Sequence, residues 1–374
     1  MIQPFQFLQQ LSAAGVQFYT GVPDSLLKGL ITAIERFQKP SHHIAANEGA
    51  ALGLAAGYHL ATGGLPVVYL QNSGLGNLIN PLTSMADREV YGLPVLLLIG
   101  WRGEPGIADE PQHKVMGHIT PTLLHQLHVP FVVIKKDDDH VWQESLQDAI
   151  NMSLKETRPV ALLIEAGVFP EDELVAENHY ELSAEAAIEV VYRSLSPDDI
   201  VVCTTGKIGR AFYKINEKEG RISRYFLNVG SMGHAVSIAT GLALNTTSRV
   251  VLFDGDGALL MHMGALALPP SLKLTNLSYI VLNNGAHQSV GSQPTLGFQV
   301  DFCTIARGCG YKNPICLKNR RDVEALGKDL RLMDFLEICI NTQTSEDLPR
   351  PNESPQAAKE RLMEAIRNDT KKGV

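Results

Sequence analysis

The run Val250-Val251-Leu252-Phe253-Asp254-Gly255-Asp256-Gly257 joins four apolar residues to a turn that alternates carboxylate and glycine. Tyr279-Ile280-Val281-Leu282-Asn283-Asn284-Gly285-Ala286 has the same design, an apolar run ending in polar residues and glycine. Runs of this kind read as strands buried on both faces, as in a parallel sheet. Asp256 and Asn284 stand 284 − 256 = 28 residues apart, room for one helical crossover and the next strand. Both side chains are therefore expected at the same end of one sheet, where open α/β sheets bind ligands.

Working outward, Ile200-Val201-Val202 and Phe335-Leu336-Glu337-Ile338-Cys339-Ile340 extend this series. Upstream lies a separate series: Phe18-Tyr19-Thr20, Val67-Val68-Tyr69-Leu70, Val95-Leu96-Leu97-Leu98-Ile99, Phe131-Val132-Val133-Ile134 and Val160-Ala161-Leu162-Leu163-Ile164. Helical patterns separate the runs, such as the Ala- and Leu-rich residues 50–60. Residues 167–180 are acidic and irregular, with Pro170, Glu171, Asp172, Glu173 and Glu177, and read as a linker. The expectation is an α/β protein of two tandem open, mostly parallel-sheet domains, 1–168 and 183–374, joined by 169–182. Residues 354–374 read as a terminal amphipathic helix.

A chain of 374 residues suits two domains, each large enough to bury a core unaided. The net charge of −8 leaves no broad basic face, which argues against nucleic acid but not against a small anionic ligand. No apolar stretch reaches the length of a membrane span, and the first residues lack a secretory signal pattern. Five cysteines without CxxC spacing read as free thiols in a reducing cytoplasm, with no zinc expected.

Asp256 offers a charged oxygen, Asn284 a neutral one and a loop carbonyl near Ala286 a third, a donor set suited to Mg2+. Gly255 and Gly257 would let the backbone approach a diphosphate. Taken singly, each of these turns is an ordinary strand end. Upstream, Gly230-Ser231-Met232-Gly233-His234 leads into an apolar helix and offers backbone donors, with His234 either a further donor or a structural cap. Glu48 is the only charged residue between Lys39 and Asp87. A buried carboxylate there must be paired or protonated, although an acid at a helix N-terminus is also ordinary.

With Glu48 in the first domain and Gly-Asp-Gly followed by Asn-Asn in the second, the chain resembles the thiamine-diphosphate-dependent decarboxylases. Gly21-Val22-Pro23-Asp24-Ser25, Gln71-Asn72-Ser73-Gly74-Leu75-Gly76-Asn77, Trp101-Arg102-Gly103-Glu104-Pro105-Gly106, Asp109-Glu110-Pro111-Gln112-His113, Thr204-Thr205-Gly206-Lys207 and His287-Gln288-Ser289-Val290-Gly291-Ser292-Gln293 carry it further, toward the phosphonopyruvate and sulfopyruvate decarboxylase family.

The resemblance implies a pyrimidine-binding domain, then a diphosphate-binding domain, with thiamine diphosphate and Mg2+ as cofactors. It implies that Glu48 activates the cofactor's aminopyrimidine, that Met232 wedges between the two rings, and that His113 and His287 shuttle protons. Ser25, Asn72, Arg102 and Lys207 become candidates for binding a small anionic 2-oxo acid, Arg102 through its bidentate fork. The implied reaction turns 3-phosphonopyruvate into phosphonoacetaldehyde and CO2, a step of phosphonate biosynthesis. Sites shared between subunits imply a homodimer or higher homo-oligomer. The alternatives are sulfopyruvate or another short 2-oxo acid as substrate, and a catalytically silent regulatory protein on the same fold. A nicotinamide dehydrogenase is disfavoured, because Gly74-Leu75-Gly76-Asn77-Leu78-Ile79 lacks a third glycine and follows a later strand.

Overall fold

The computed structural model describes residues 1–37, 41–137, 141–172, 174, 178–345 and 347–370. Glu173 and Glu177 of the expected linker, and residues 371–374 of the expected last helix, lie outside them. The chain forms two compact units, Met1–Val175 with Ser289–Gln293, and Ala176–Gln288 with Pro294–Val374.

The first unit is built on six strands: β1 (Phe18–Gly21), β2 (Ser41–Ile44), β3 (Pro66–Gln71), β4 (Val95–Gly100), β5 (Phe131–Ile134) and β6 (Pro159–Ile164). Their order is β2-β1-β3-β4-β6-β5, and every pairing is parallel. Alternation along β4 sends Leu96 and Leu98 into one apolar cluster with Phe7, Tyr19 and Leu30. Val95, Leu97 and Ile99 enter another with Leu52, Ala55 and Leu78. With both faces covered, the strand sequence has no polar alternate, which is why it reads as a continuous apolar run.

The second unit uses β7 (Ile200–Cys203), β8 (Tyr225–Leu227), β9 (Val250–Gly255), β10 (Leu277–Asn283), the two-residue strands β11 (Ala286–His287) and β12 (Gln293–Pro294), β13 (Ile315–Leu317) and β14 (Phe335–Cys339). Its six-stranded sheet is again parallel, in the order β13-β14-β10-β9-β7-β8. Val251 and Phe253 of β9 face one cluster, Val250 and Leu252 the other. The expected fold class is therefore the observed one. Phe169 and Leu182, at the two ends of the expected linker, are buried in the cores of the first and second unit. Among the described residues no helix is long and apolar enough to cross a membrane.

Within the two six-stranded sheets, three strands carry no sequence signal: β2, β8 and β13. Each lies at a sheet edge, where only part of the strand is buried. The chain before β2 still ends the crossover helix Lys28–Arg36, and the chain after it opens Glu48–Thr62. Asn47 caps that second helix by accepting from Ala50 N at 2.8 Å, and a left-handed Gly63 stops it.

Leu98, fully buried in β4, anchors the first core. Leu98→Ala should lower the free energy of unfolding by about 2–5 kcal/mol. Leu60→Ala, at a residue 75% exposed, should change it by no more than about 0.5 kcal/mol. Urea denaturation followed by circular dichroism compares the two.

Candidate active site

In the first unit the site begins with Glu48, the opening residue of its helix. The side chain is 5% exposed, and Oε2 accepts a hydrogen bond from Asn77 Nδ2 at 2.6 Å. Burial raises its pKa above the ordinary carboxyl value, and the Asn77 bond opposes that rise only in part. Gly74 lies directly against the carboxylate, and a Cβ there would overlap it. The run Gln71–Asn77 thus supplies Glu48 with both its space and its partner, a role the sequence did not assign to Asn77.

Four other sequence-derived residues, Ser25, Asn72, Arg102 and His113, lie in the chain after β1, β3 and β4. The Arg102 guanidinium donates to Asp109 through Nε at 2.8 Å and Nη2 at 2.5 Å, and through Nη1 to Ser25 Oγ at 2.8 Å. Burial pushes the Asp109 carboxyl up, but Arg102 and the backbone N–H groups of Glu110 and Gly103 outweigh it and hold it well below its usual range. Asn72 is fully buried, and both amide protons are used, on Arg102 O at 2.8 Å and Thr120 Oγ1 at 3.1 Å. It clamps the loop that carries Arg102. His113 is buried, which with the nearby Arg102 charge lowers its pKa. Its Nδ1 is buried without a hydrogen-bond partner among the described residues.

Two residues here were quoted within motifs but given no role. Asp24 is fully buried, accepts from Gln71 Nε2 at 2.8 Å and is raised in pKa by burial. Gln293 is likewise fully buried, and neither of its amide atoms has a partner among the described residues. An unpaired buried amide is costly.

In the second unit β9 delivers Asp256 to the start of the helix Asp256–Met261, and β10 ends at Asn283, just before Asn284. Asp256 is 2% exposed. It accepts from the Thr295 hydroxyl and from the backbone N–H of Asn284, so the structure brings the two expected metal ligands together. Burial carries the Asp256 pKa to about 6, against those hydrogen bonds. None of these donors brings a full positive charge, which a divalent cation would. Asn284 Oδ1 accepts from Ala286 N at 3.0 Å, and an amide oxygen has a second lone pair. Between them Gly285 takes φ +67°, and a Cβ there would overlap the Phe298 ring. The donor chemistry fits Mg2+.

The expected diphosphate loop follows β8. Gly230, Ser231 and Gly233 all have positive φ, and for Ser231, at +46°, this is a strained conformation. Gly230 N donates to Thr205 Oγ1 at 3.1 Å, tying the loop to the turn in which Gly206 caps the helix Lys207–Glu219. His234 lies 3.2 Å from the Met232 carbonyl through Nδ1, and its ring packs 4.5 Å from that of His262. Built onto Gly257, a Cβ would stand 3.1 Å from the His287 ring and 3.3 Å from the Met232 methyl. Asp256, Gly257, Met232 and His287 therefore share one locality. Burial lowers the His287 pKa to about 4, so its imidazole is neutral at pH 7. Gly255 ends β9 with its N–H on Asp254 Oδ1 at 3.0 Å.

Comparison with known proteins matches this arrangement to two domain models. Residues 5–124 fit the N-terminal TPP binding domain of thiamine pyrophosphate enzymes, and residues 201–333 the C-terminal TPP binding domain. The chain is a thiamine-diphosphate-dependent carboxy-lyase of the kind that acts on 2-oxo acids. It is 32% identical to a phosphonopyruvate decarboxylase of Streptomyces viridochromogenes over 95% of this chain and 92% of that one. A phosphonopyruvate decarboxylase of Streptomyces hygroscopicus is 34% identical over 83% of this chain and 80% of that one. A sulfopyruvate decarboxylase of Methanosarcina acetivorans is 27% identical over 98% and 97%. The chain belongs to the phosphonopyruvate decarboxylase family.

The raised pKa of Glu48 yields a prediction with a definite sign. Its folded pKa lies above the unfolded one, so its contribution to stability is fully present below the unfolded pKa and lost as pH rises through the folded value. Glu48→Gln removes that loss. The variant should melt higher than the parent at mildly alkaline pH, with the gain vanishing at pH below the ordinary carboxyl range. Turnover should fall about 10²–10⁴-fold, the usual worth of a positioned proton-transfer group. Thermal melts at the two pH values and a CO2-release assay check both halves.

Proposed function

We propose that the chain decarboxylates 3-phosphonopyruvate to phosphonoacetaldehyde and CO2, using Mg2+ together with thiamine diphosphate, as a step of phosphonate biosynthesis. The observation that carries the reading is the assembly of Ser25, Arg102 and Asp109 in the unit that holds the buried Glu48. It presents a fixed guanidinium and a hydroxyl to a small tetrahedral anion, and the named relatives include two phosphonopyruvate decarboxylases.

Bound thiamine diphosphate supplies an electron sink for the carbanion that loss of CO2 leaves behind. The chain's own residues do the rest. Asp256, Asn284 and the Ala286 carbonyl would hold Mg2+, and the Gly230–Gly233 backbone with His234, Gly255 and Gly257 would receive the diphosphate. Glu48, anchored through Oε2 by Asn77, keeps Oε1 for proton exchange with the cofactor's ring. His287, neutral at pH 7, and His113, with its unpaired Nδ1, are the groups that pass protons to and from the product. Asn72 keeps Arg102 in place, and Lys207 and Arg102 supply the positive charge for the substrate. The working form we propose is a cytoplasmic homodimer or higher homo-oligomer.

One observation favours sulfopyruvate as a second reading. Asp109 already compensates the Arg102 charge, and a sulfonate carries less charge than a phosphonate to be balanced.

Turnover of phosphonopyruvate, sulfopyruvate and pyruvate side by side decides between them: kcat/KM should be highest for phosphonopyruvate, and a preference for sulfopyruvate would sink the substrate assignment. Chelating Mg2+ should abolish CO2 release, and adding it back should restore it. Arg102→Lys keeps the charge but loses the fork. It should raise KM about 10–100-fold, the worth of a charge-assisted hydrogen bond of about 1.5–3 kcal/mol, with a smaller effect on kcat.

A further inference from the structure

Spacing in the chain concealed one grouping of side chains. Cys316 on β13 sits opposite Glu337 on β14, and two-residue alternation puts Cys339 on the same face as Glu337. One ligand atom from each of the three residues lies within 4.8 Å of the other two. We propose that Cys316, Cys339 and Glu337 form a binding site for a thiophilic divalent cation of the zinc class, separate from the Mg2+ ligands.

The geometry favours an ion over a disulfide. Two sulfurs on a tetrahedral zinc, each about 2.3 Å from the ion, stand about 3.8 Å apart. Here the sulfurs are 3.7 Å apart, a hydrogen-bonded thiol pair that already has the spacing two zinc ligands need. A disulfide would draw them in to about 2.05 Å and would give Glu337 no part. Two thiolates and a carboxylate make three protein ligands, leaving a fourth position for water, and the exposed Cys316 provides the way in.

The surroundings are those of a supported site. Asn283 Nδ2 donates to Glu337 Oε1 at 2.7 Å, orienting the carboxylate as outer-sphere hydrogen bonds do for metal ligands. The Tyr180 phenol bonds the Cys339 sulfur, and Lys318 lies within electrostatic reach of both Glu337 and Cys339. Asn283 Oδ1 also accepts from Gly285 N at 3.1 Å. One amide therefore links this cluster to the turn that carries Asn284.

The test is a titration of the reduced full-length protein with Co2+, with thiamine diphosphate and Mg2+ held at saturation. One equivalent should bind with a thiolate-to-cobalt charge-transfer band, and Zn2+ should displace it. Cys316→Ser, at an exposed position that leaves the core intact, should weaken the band, because Cys339 still supplies one thiolate, and bind cobalt roughly tenfold or more weakly. Cys309→Ser should change neither. Circular dichroism confirms that both variants fold. Absence of the band, its persistence at full strength in Cys316→Ser, or loss of both thiols to glutathione disulfide without cobalt uptake by the reduced protein would each overturn the proposal. The readout is metal binding, so it stands apart from the identity of the substrate.

Discussion

The hydrogen bond from Asn77 to the Glu48 carboxylate, 2.6 Å long inside a dry helix start, carries a constraint that shapes the first unit. A carboxylate removed from water favours its neutral form unless charge or donors compensate. The Asn77 amide and a backbone N–H compensate only in part, and Gly74 pressed against the group excludes a bulkier neighbour. Burial therefore leaves the carboxyl with a raised pKa, the direction that suits the proton-exchange role proposed for it. Asp256 is under the same constraint in the second unit, resolved differently. There a hydroxyl and backbone N–H groups hold a carboxylate whose remaining deficit is one of positive charge. The first arrangement suits proton exchange and the second suits a cation.

The two units place these groups by one architecture. Numbered within each unit, and leaving out the two-residue strands, both sheets run 2-1-3-4-6-5. Strand order reverses beside the first strand, and ligands bind at such a point beyond the carboxyl ends. In the first unit the ends of strands one to four carry Ser25, Glu48, Asn72 with Asn77, and Arg102. In the second the same ends carry Lys207, the Gly230–Gly233 loop, Asp256 and Asn284. The candidate residues thus occupy equivalent strand ends in both halves, and their chemical differences reside in the loops alone.

This explains what could be read in advance. Strands covered on both faces leave uninterrupted apolar runs, so nine of them were visible with the residues that terminate them. The edge strands β2, β8 and β13 were not, because Ser41-His42-His43-Ile44 and Ile315-Cys316-Leu317 are half in solvent and carry mixed side chains. Glu48, Asp256 and Asn284 were legible because each stands at a strand end or helix start with a local signature. Their partners were not. Thr295 lies 39 residues from Asp256, Asn77 lies 29 from Glu48, and Cys316 lies 23 from Cys339. Each pairing is made by the sheet or by loops folding across it, and no spacing rule along the chain encodes it.

Arg102 shows how far such a reading carries. A lone arginine in a glycine-rich loop after a strand reads as an anion fork waiting for a ligand. In the fold one edge of that fork is already filled by Asp109, and one Nη1 N–H goes to Ser25, which leaves a second N–H on each of Nη1 and Nη2. Pairing lowers the net charge but fixes the guanidinium plane, and a fixed donor loses less entropy when an anion arrives. Ser25 then completes a surface with a set direction. With the charge partly cancelled, the proposed reading leaves geometry and the nearby His113 and Asp24 to distinguish anions of different valence. On the proposed reading, specificity depends more on hydrogen-bond complementarity than on the count of positive charges.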